Sequence, residues 1–223
     1  MITLSTLQFL SALKKNNQKD WFDKNRESYI AAKENAIRLI EYIIKVHGKK
    51  DPSISEITAK NCFFRINRDV RFSKDKSPYK TNIGAYINPG GKKTMTAGYY
   101  LHIEPGGSFA GGGLYMPPPD LLRKIRQEID YNTDQWKKII SSRSFKSVYG
   151  TLNMNKEISL SRPPKGYEAT HPAAQFLMLK SYVATIQLSD KELLSADLPK
   201  RLLSAFSSLQ PMIHFLNEAL DSE

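Results

Sequence analysis

The chain has 223 residues and a formal charge of +11, because 33 Lys and Arg outnumber 22 Asp and Glu. Its 40% hydrophobic and 25% charged residues are typical of a soluble globular protein, and no apolar run approaches the roughly 20 residues that a membrane span requires. The single cysteine, Cys62, excludes an internal disulfide framework and a cysteine-rich zinc module. The N-terminal stretch lacks the basic region of a signal peptide, so we expect a cytoplasmic protein that does not bind membranes.

Helical periodicity dominates the N-terminal part of the chain. A short helix is predicted first, with apolar positions at Leu7, Leu10 and Leu13. A longer helix is predicted from Glu27, because apolar residues recur three and four positions apart. Gly48 and Pro52 supply the usual signals for its end.

Alternation of apolar and polar residues then predicts β-strands. The apolar run Cys62–Ile66 comes first, followed by alternating segments around residues 83–87 and 99–103, and by Ser108–Leu114. Short turns with Pro-Gly-Gly sequences follow residues 88 and 104. Segments joined by such turns indicate an antiparallel meander and not a parallel β-α-β sheet.

The C-terminal part is mostly helical in pattern. Helices are predicted from Asp120, over Asn132–Ser142, over Pro172–Lys180 and from Leu198 onward with a kink at Pro211, whereas Ser144–Thr170 is predicted irregular. Tyr182–Leu188 is predicted as a last strand, and Ser189 with Glu192 forms a capping-box pattern. We therefore predict one α+β domain over residues 1–223. Its mainly antiparallel central sheet, about residues 61–115 plus strand 182–188, is packed by N-terminal and C-terminal helices.

Three stretches carry a family resemblance. Residues 63–82 read FFRINRDVRFSKDKSPYKTN, residues 99–105 read YYLHIEP and residues 109–117 read FAGGGLYMP. Together they resemble the domain of unknown function 2461, a bacterial and fungal family. DWF at 20–22, IR at 125–126 and HPAAQFL at 171–177 extend the resemblance over most of the chain. The resemblance implies a single-domain, mostly prokaryotic protein without an assigned activity, and it assigns no catalytic residue.

Positive charge is concentrated between Asn61 and Asn82, where six cations and two anions give +4 of the chain's +11 within 22 residues. Guanidinium groups match the geometry of phosphate and carboxylate. We predict that a small anionic ligand, such as a phosphorylated metabolite, is bound by Arg65, Arg68, Arg71, Lys74 and Lys80. The alternative is that Asp69 and Asp75 pair with the arginines and hold the segment in shape while the lysines are solvated.

The strand around His102 supplies a second group of candidates. Tyr100, His102 and Glu104 project to one face of a strand, whereas Tyr99, Leu101 and Ile103 project to the other. The same alternation places Arg65 and Tyr86 on the polar face. We therefore predict His102 and Glu104 as catalytic acid–base residues and Tyr86 as a ligand contact. Two alternatives are a ligand surface without catalysis and a solvent-facing sheet surface, so the sequence leaves enzymatic activity undecided.

A glycine cluster follows this strand, with glycines at 106, 107 and 111–113. Its spacing is neither a dinucleotide fingerprint nor a phosphate-binding P-loop. Gly106–Ala110 approaches a nucleophile elbow but ends in alanine. Turn and bulge glycines are the first interpretation, and clearance for a ligand at Gly112 is the second. The combined hypothesis is one anion pocket formed by the three arginines, His102 and Glu104 beside these glycines.

The sequence predicts neither a metal site nor a cofactor, because the four histidines are widely separated and no metal-binding motif is present. Two other partners are considered: nucleic acid, with at most weak and salt-sensitive binding, and an acidic protein. A closed pocket around the arginines favours a small ligand, whereas a stripe reaching Lys92, Lys93, Lys137 and Lys138 favours nucleic acid. The oligomeric state is not indicated. We further expect buried Phe64 and Ile66, and an exposed loop at Ser73–Pro78.

Overall fold

The computed structural model describes residues 1–91 and 94–221. The α-helices are α1 (Leu4–Lys15), α2 (Lys19–Lys24), α3 (Arg26–His47), α4 (Ala59–Cys62), α5 (Pro119–Tyr131), α6 (Thr133–Ser141), α7 (Arg143–Tyr149), α8 (Ala174–Leu177), α9 (Asp190–Leu194) and α10 (Leu198–Asp221). A 3-10 helix spans Pro52–Ile54. The strands are β1 (Ile83–Ile87), β2 (Gly98–Ile103), β3 (Ser108–Leu114) and β4 (Tyr182–Leu188). The predicted α+β class is confirmed.

The four strands form one antiparallel sheet in the order β1-β2-β3-β4. The first three are the predicted meander, and β4 joins β3 after a long helical excursion. The register places Tyr86 opposite Tyr100 and His102 opposite Phe109. Because side chains of directly paired residues lie on the same face, this register decides which side chains of different strands meet.

One face of the sheet, here called the inner face, packs on helices α3 and α10. Tyr99, Leu101 and Ile103 on this face are at most 1% exposed. The Tyr99 ring lies 4.8 Å from the ring of His47 on α3 and 5.0 Å from that of Phe206 on α10. Burial of such side chains contributes about 1.5–3 kcal/mol each, so the sheet is held mainly by this layer.

The segment before β1 differs from the prediction. Residues 59–62 form helix α4, and Phe63 makes one isolated bridge with Ala85 instead of starting a strand. Cys62, Phe63 and Ile66 are buried, but Phe64 is 44% exposed, so the expected burial of Phe64 is wrong. The chain changes from helix to extended structure at Phe63, and strict alternation therefore does not apply across it.

Two further segments bear on the predictions. Helix α7 occupies the start of the stretch predicted irregular, because Ser142 caps it by accepting a hydrogen bond from the Phe145 amide and because Phe145 and Tyr149 are buried one turn apart. The capping box of Ser189 and Glu192 is confirmed at the start of α9. In the described part of the chain, no helix is both long enough and apolar enough to cross a membrane.

Candidate functional site

The outer face of the sheet carries the predicted polar residues of β2. Tyr100 and His102 alternate with the buried inner-face residues, and both are half-buried. Glu104 follows directly after β2, and its side chain keeps the same side as His102, 3.2 Å away. The predicted sharing of one face by these three side chains is therefore what the structure shows.

The side chains of Tyr100, His102 and Glu104 form one series of hydrogen bonds, here called the outer-face chain. The Tyr100 hydroxyl lies 3.1 Å from Nδ1 of His102, and Nε2 of His102 lies 3.2 Å from Oε2 of Glu104. The Thr81 hydroxyl donates to the other carboxylate oxygen of Glu104 at 2.8 Å. Because a carboxylate only accepts, neutral His102 carries its proton on Nε2, and Nδ1 accepts from the Tyr100 hydroxyl.

This arrangement is suited to accept a proton. Burial raises the pKa of Tyr100 to about 12, so the phenol is neutral near pH 7. Burial alone would raise the pKa of Glu104, but hydrogen bonds from Thr81 and His102 outweigh it and hold that pKa below its ordinary value. A proton reaching the Tyr100 oxygen could therefore displace the phenolic proton onto Nδ1 of His102, and Glu104 would stabilise the imidazolium.

Two aromatic rings and one glycine surround the outer-face chain and restrict its side chains. The Phe109 ring stacks on His102 with 4.6 Å between centroids and 12° between planes. The Phe64 ring meets Tyr100 at 6.4 Å. A Cβ on Gly84 would lie 2.6 Å from the Tyr100 hydroxyl oxygen, so Tyr100 lies over a position without a side chain. Sequence reasoning missed these residues, because only the strand register brings Phe109 and Gly84 to His102 and Tyr100.

One cation, Lys80, lies beside the Phe64 ring, and a second, Arg65, lies near Lys80. The Lys80 amine is 5.5 Å from the centre of the Phe64 ring. Burial lowers the pKa of Lys80, and the positive charge of Arg65 lowers it further. Among the described residues, neither Arg65 nor Lys80 forms an ion pair with a carboxylate. Asp69 is near enough to interact with Arg65 but is bonded to Arg71, so the repulsion between Arg65 and Lys80 is an electrostatic cost that a bound anion reduces.

The other two arginines are paired within the loop. Arg68 forms an ion pair with Asp75 and donates to the Ser77 carbonyl at 3.1 Å. Arg71 donates twice to the carboxylate of Asp69, at 3.0 and 2.7 Å. The structure therefore places Arg68 and Arg71 in the arrangement of the structural alternative, in which aspartates hold the segment in shape.

The three arginines, His102 and Glu104 do not form the single closed pocket that was hypothesised. The Arg71 side chain is 76% exposed, and in the described residues neither Arg68 nor Arg71 bonds to His102 or Glu104. The loop Ser73–Pro78 is largely exposed as predicted, including Lys74, which has no carboxylate partner in that part of the chain. The cationic surface is thus open, and it meets the outer-face residues where Lys80 lies against the Phe64 ring, which contacts Tyr100.

Tyr86 and Gly112 serve the packing of the sheet. The Tyr86 hydroxyl lies 2.8 and 2.9 Å from the carbonyl oxygens of Thr96 and Gly113, and burial raises its pKa. Gly112 lies on the inner face, where a Cβ would come within 2.8 Å of Leu209 and 2.2 Å of the Gly98 carbonyl oxygen. Gly112 is therefore not on the face of His102, which corrects its assignment as ligand clearance.

The neighbouring glycines allow close approach of strands. A Cβ on Gly111 would lie 2.0 Å from the Ala184 carbonyl oxygen, and one on Gly113 would lie 1.9 Å from the Tyr182 carbonyl oxygen. Backbone atoms of β4 thus occupy the space that the sequence offered to a ligand. Close approach of paired strands therefore accounts for Gly111–Gly113, which lie in continuous register in β3 and not in a turn or a bulge.

The remaining predicted features lie apart from this surface. Lys92 and Lys93 fall outside the described residues, and Lys137 and Lys138 are on α6. Within residues 1–91 and 94–221, no group of three or more His, Cys, Asp or Glu side chains is placed to hold a metal ion. His171 accepts from the Ala173 amide and bonds to Asp130 at 2.8 Å, so it packs just before helix α8, where no side chain caps the helix.

Comparison with known proteins gives one match. A family model described as "Conserved hypothetical protein (DUF2461)" matches residues 5–215. The match covers nearly the whole chain and confirms the resemblance carried by residues 63–82, 99–105 and 109–117. No curated protein and no solved structure matches the chain.

Proposed function

This chain belongs to the DUF2461 family of conserved hypothetical proteins, and from its own residues we propose that it binds a small anionic ligand at Arg65 and Lys80. The observation that carries the proposal is the pairing of the two segments: the Lys80 amide donates at 2.8 Å to the carbonyl of Ile66, the neighbour of Arg65. Burial lowers the pKa of Lys80, and the positive charge of Arg65 lowers it further. Neither has a carboxylate ion-pair partner among the described residues.

The contrast with the neighbouring arginines supports this choice. Arg68 and Arg71 each have an aspartate partner and are already neutralised within the loop. Arg65 also lowers the pKa of Asp69, but the oxygens of that carboxylate accept from Arg71. An anion bridging Arg65 and Lys80 would relieve their repulsion and gain charge-assisted hydrogen bonds, and a phosphate group offers enough oxygens for both.

The outer-face chain gives the proposed site its chemistry. A ligand hydroxyl or a water that donates to the Tyr100 oxygen would transfer its proton there as the phenolic proton moves to Nδ1 of His102. The oxygen that loses its proton attacks the phosphorus of the bound ligand as the bond from phosphorus to the leaving oxygen breaks. The imidazolium, paired with Glu104, then returns the proton to that leaving oxygen through Tyr100. We therefore propose His102 and Glu104 as the acid–base pair that acts on the bound ligand through Tyr100.

The test is a thermal-shift screen with inorganic pyrophosphate and a set of phosphorylated metabolites. A ligand that binds the folded state raises the melting temperature in proportion to the logarithm of its concentration over Kd. We expect stabilisation of the wild type and its loss in Arg65→Gln and Lys80→Gln. Lys156→Gln, which alters an exposed lysine of another segment, is the matched control and keeps the response.

Arg68→Gln separates a binding role from a structural one. Because Arg68 holds the loop through Asp75, we expect this variant to melt at a lower temperature without ligand but to keep a ligand-induced shift. Equal stabilisation of the wild type, Arg65→Gln and Lys80→Gln would exclude the proposed site.

The acid–base role is tested with a compound that does bind. Phosphorus NMR should show its slow conversion by the wild type and not by His102→Asn. Conversion at equal rates by both proteins would exclude the acid–base role.

A further inference from the structure

Phe72 is the most exposed of the large hydrophobic side chains in the described residues. It is 95% exposed, compared with 44% for Phe64 and 73% for Tyr131. A phenylalanine so exposed contributes nothing to the core and keeps about its whole apolar surface in water. Packing of the fold therefore gives no reason for a phenyl ring at this position.

The loop that presents Phe72, residues 69–77, is held by its own hydrogen bonds. Asp75 accepts from the Ser77 hydroxyl at 2.7 Å and from the Ser77 amide at 2.9 Å, and these bonds with the Arg68 pair lower its pKa to about 2. The Lys76 amine donates to the Val70 carbonyl at 3.0 Å. A loop with fixed geometry binds a partner without a large loss of conformational entropy.

The exposed rings of this segment share one arrangement. The Arg71 guanidinium lies 5.8 Å from the centre of the Phe72 ring, and the Lys80 amine lies 5.5 Å from that of Phe64. Each phenyl ring thus has a cation beside it, although Arg71 is also paired with Asp69, and the segment between the two rings carries Lys74, which is exposed. Alternation of flat rings and cations is the pattern by which proteins hold a single nucleic-acid strand, with bases stacked on rings and phosphates at cations.

We infer that single-stranded nucleic acid is a second anionic ligand of this surface, with a base stacked on Phe72 and a backbone phosphate at Arg65 and Lys80. The inference rests on the proposed function, because the strand uses the same two cations. The surface is open and its free cations are few, so the binding is weak and salt-sensitive.

An anionic membrane fits the same loop less well. Insertion of Phe72 into lipid would carry the Arg71 guanidinium and its Asp69 partner out of water, which costs more than one phenyl ring gains. Stacking of a base has no such cost, because the base covers only a ring face and leaves the Asp69–Arg71 pair in solvent. The observations therefore favour a nucleic-acid strand over a membrane surface.

The test measures the fluorescence anisotropy of a labelled oligouridylate at low salt. Its length of about ten nucleotides lies within the range of site sizes of such surfaces. We expect Phe72→Ala to weaken binding by at least about fivefold, as loss of one stacked base implies. The salt dependence should be unchanged in Phe72→Ala, whereas Lys80→Gln should reduce the logarithmic salt slope by about 0.7.

Phe72→Trp should retain binding, with its fluorescence quenched by the oligonucleotide. Tyr131→Ala, an exposed aromatic on α5, is the matched control and should bind like the wild type.

The outcomes are distinguishable from those of the proposed function. Stabilisation by pyrophosphate without oligonucleotide binding would refute the inference and leave the anion site standing. Equal oligonucleotide affinity of the wild type and Phe72→Ala would also refute it. A blue shift of Phe72→Trp with phosphatidylglycerol vesicles, without quenching by the oligonucleotide, would replace the strand with a membrane. Absence of stabilisation by pyrophosphate and by every phosphorylated metabolite of the screen, together with absence of oligonucleotide binding, would overturn both proposals.

Discussion

The hydroxyl of Tyr99 donates a 2.6 Å hydrogen bond to the carboxylate of Asp51, and both residues are at most 1% exposed. The next residue, Tyr100, points to the opposite face and begins the outer-face chain. Burial by itself raises the pKa of Asp51, but hydrogen bonds from Ser53, Tyr99 and His214 together hold it below its ordinary value. Consecutive residues of β2 therefore contact an ionised carboxylate in the core on one face and the candidate site on the other.

Replacement of the Tyr99 hydroxyl should destabilise the fold. Tyr99→Phe removes one donor from a buried carboxylate, so we expect a loss of about 1–3 kcal/mol in the free energy of unfolding. Tyr149→Phe is the control, because the hydroxyl of Tyr149 donates to the neutral Ala205 carbonyl at 2.9 Å, and its removal should cost about 0.5–1.5 kcal/mol. Urea denaturation near pH 7 measures both. Equal losses in the two variants would mean that the charge of Asp51 is not held by Tyr99.

Stability should fall in weakly acidic solution because of His47. His47 is 1% exposed, neither ring nitrogen has a hydrogen-bond partner in the described residues, and burial lowers its pKa from the ordinary 6.5. The unfolded chain therefore binds a proton that the folded chain does not. The free energy of unfolding should be constant above about pH 7 and should fall below it by up to ~1.4 kcal/mol per pH unit, until the folded-state pKa is reached.

A matched pair of variants isolates this effect. His47→Phe keeps an aromatic ring against Tyr99 but cannot bind a proton, so its stability should vary less between about pH 7 and pH 5. Tyr149→Phe, which removes a hydroxyl elsewhere in the core and keeps His47, should retain the slope of the wild type. Urea denaturation across this range is the measurement, and identical slopes for the wild type and His47→Phe would contradict the assignment.

Gly113 should tolerate no side chain. It has a φ of +116°, and an added Cβ would lie 1.9 Å from the Tyr182 carbonyl oxygen in β4. Gly113→Ala should therefore separate two paired strands, and we expect a loss of about 3 kcal/mol or more, or failure to fold. Gly106→Ala provides the comparison: its φ is +73°, but nothing lies within 4 Å of the added Cβ. That variant should lose only about 1 kcal/mol, and similar costs for both would show that the close contact is unimportant.

Gly84 should control the hydrogen bond between Tyr100 and His102. An alanine Cβ would come within 2.6 Å of the Tyr100 hydroxyl oxygen, and the flexible tyrosine end would move away from it. Nitrogen NMR shifts of the His102 ring should then change at Nδ1, with a stability loss below about 2 kcal/mol. Gly107→Ala has room for its Cβ, with Glu104 no closer than 3.6 Å, and should leave the Nδ1 shift unchanged. An unchanged shift in Gly84→Ala would disprove the dependence.

Local patterns were sufficient for much of the fold. Alternation of apolar residues in β2 predicted its buried face, and spacing of three and four residues predicted the helix that ends at Gly48, because these periods follow directly from backbone geometry. The common face of Tyr100, His102 and Glu104 followed from the same alternation. The chemistry of residues 61–82 was also evident as an excess of cations in a short span.

Tertiary structure decided which of these groups meet. Only the strand register places Phe109 on His102 and Gly84 beneath Tyr100, because register depends on contacts between segments distant in sequence. A count of charges does not show that Arg68 and Arg71 are paired with their own aspartates. It also does not show that Arg65 and Lys80 have no such partner in the described residues. The folding of the loop sets the distances between these groups. The exposure of Phe64 likewise followed from the end of helix α4, which broke the alternation that the sequence alone suggested.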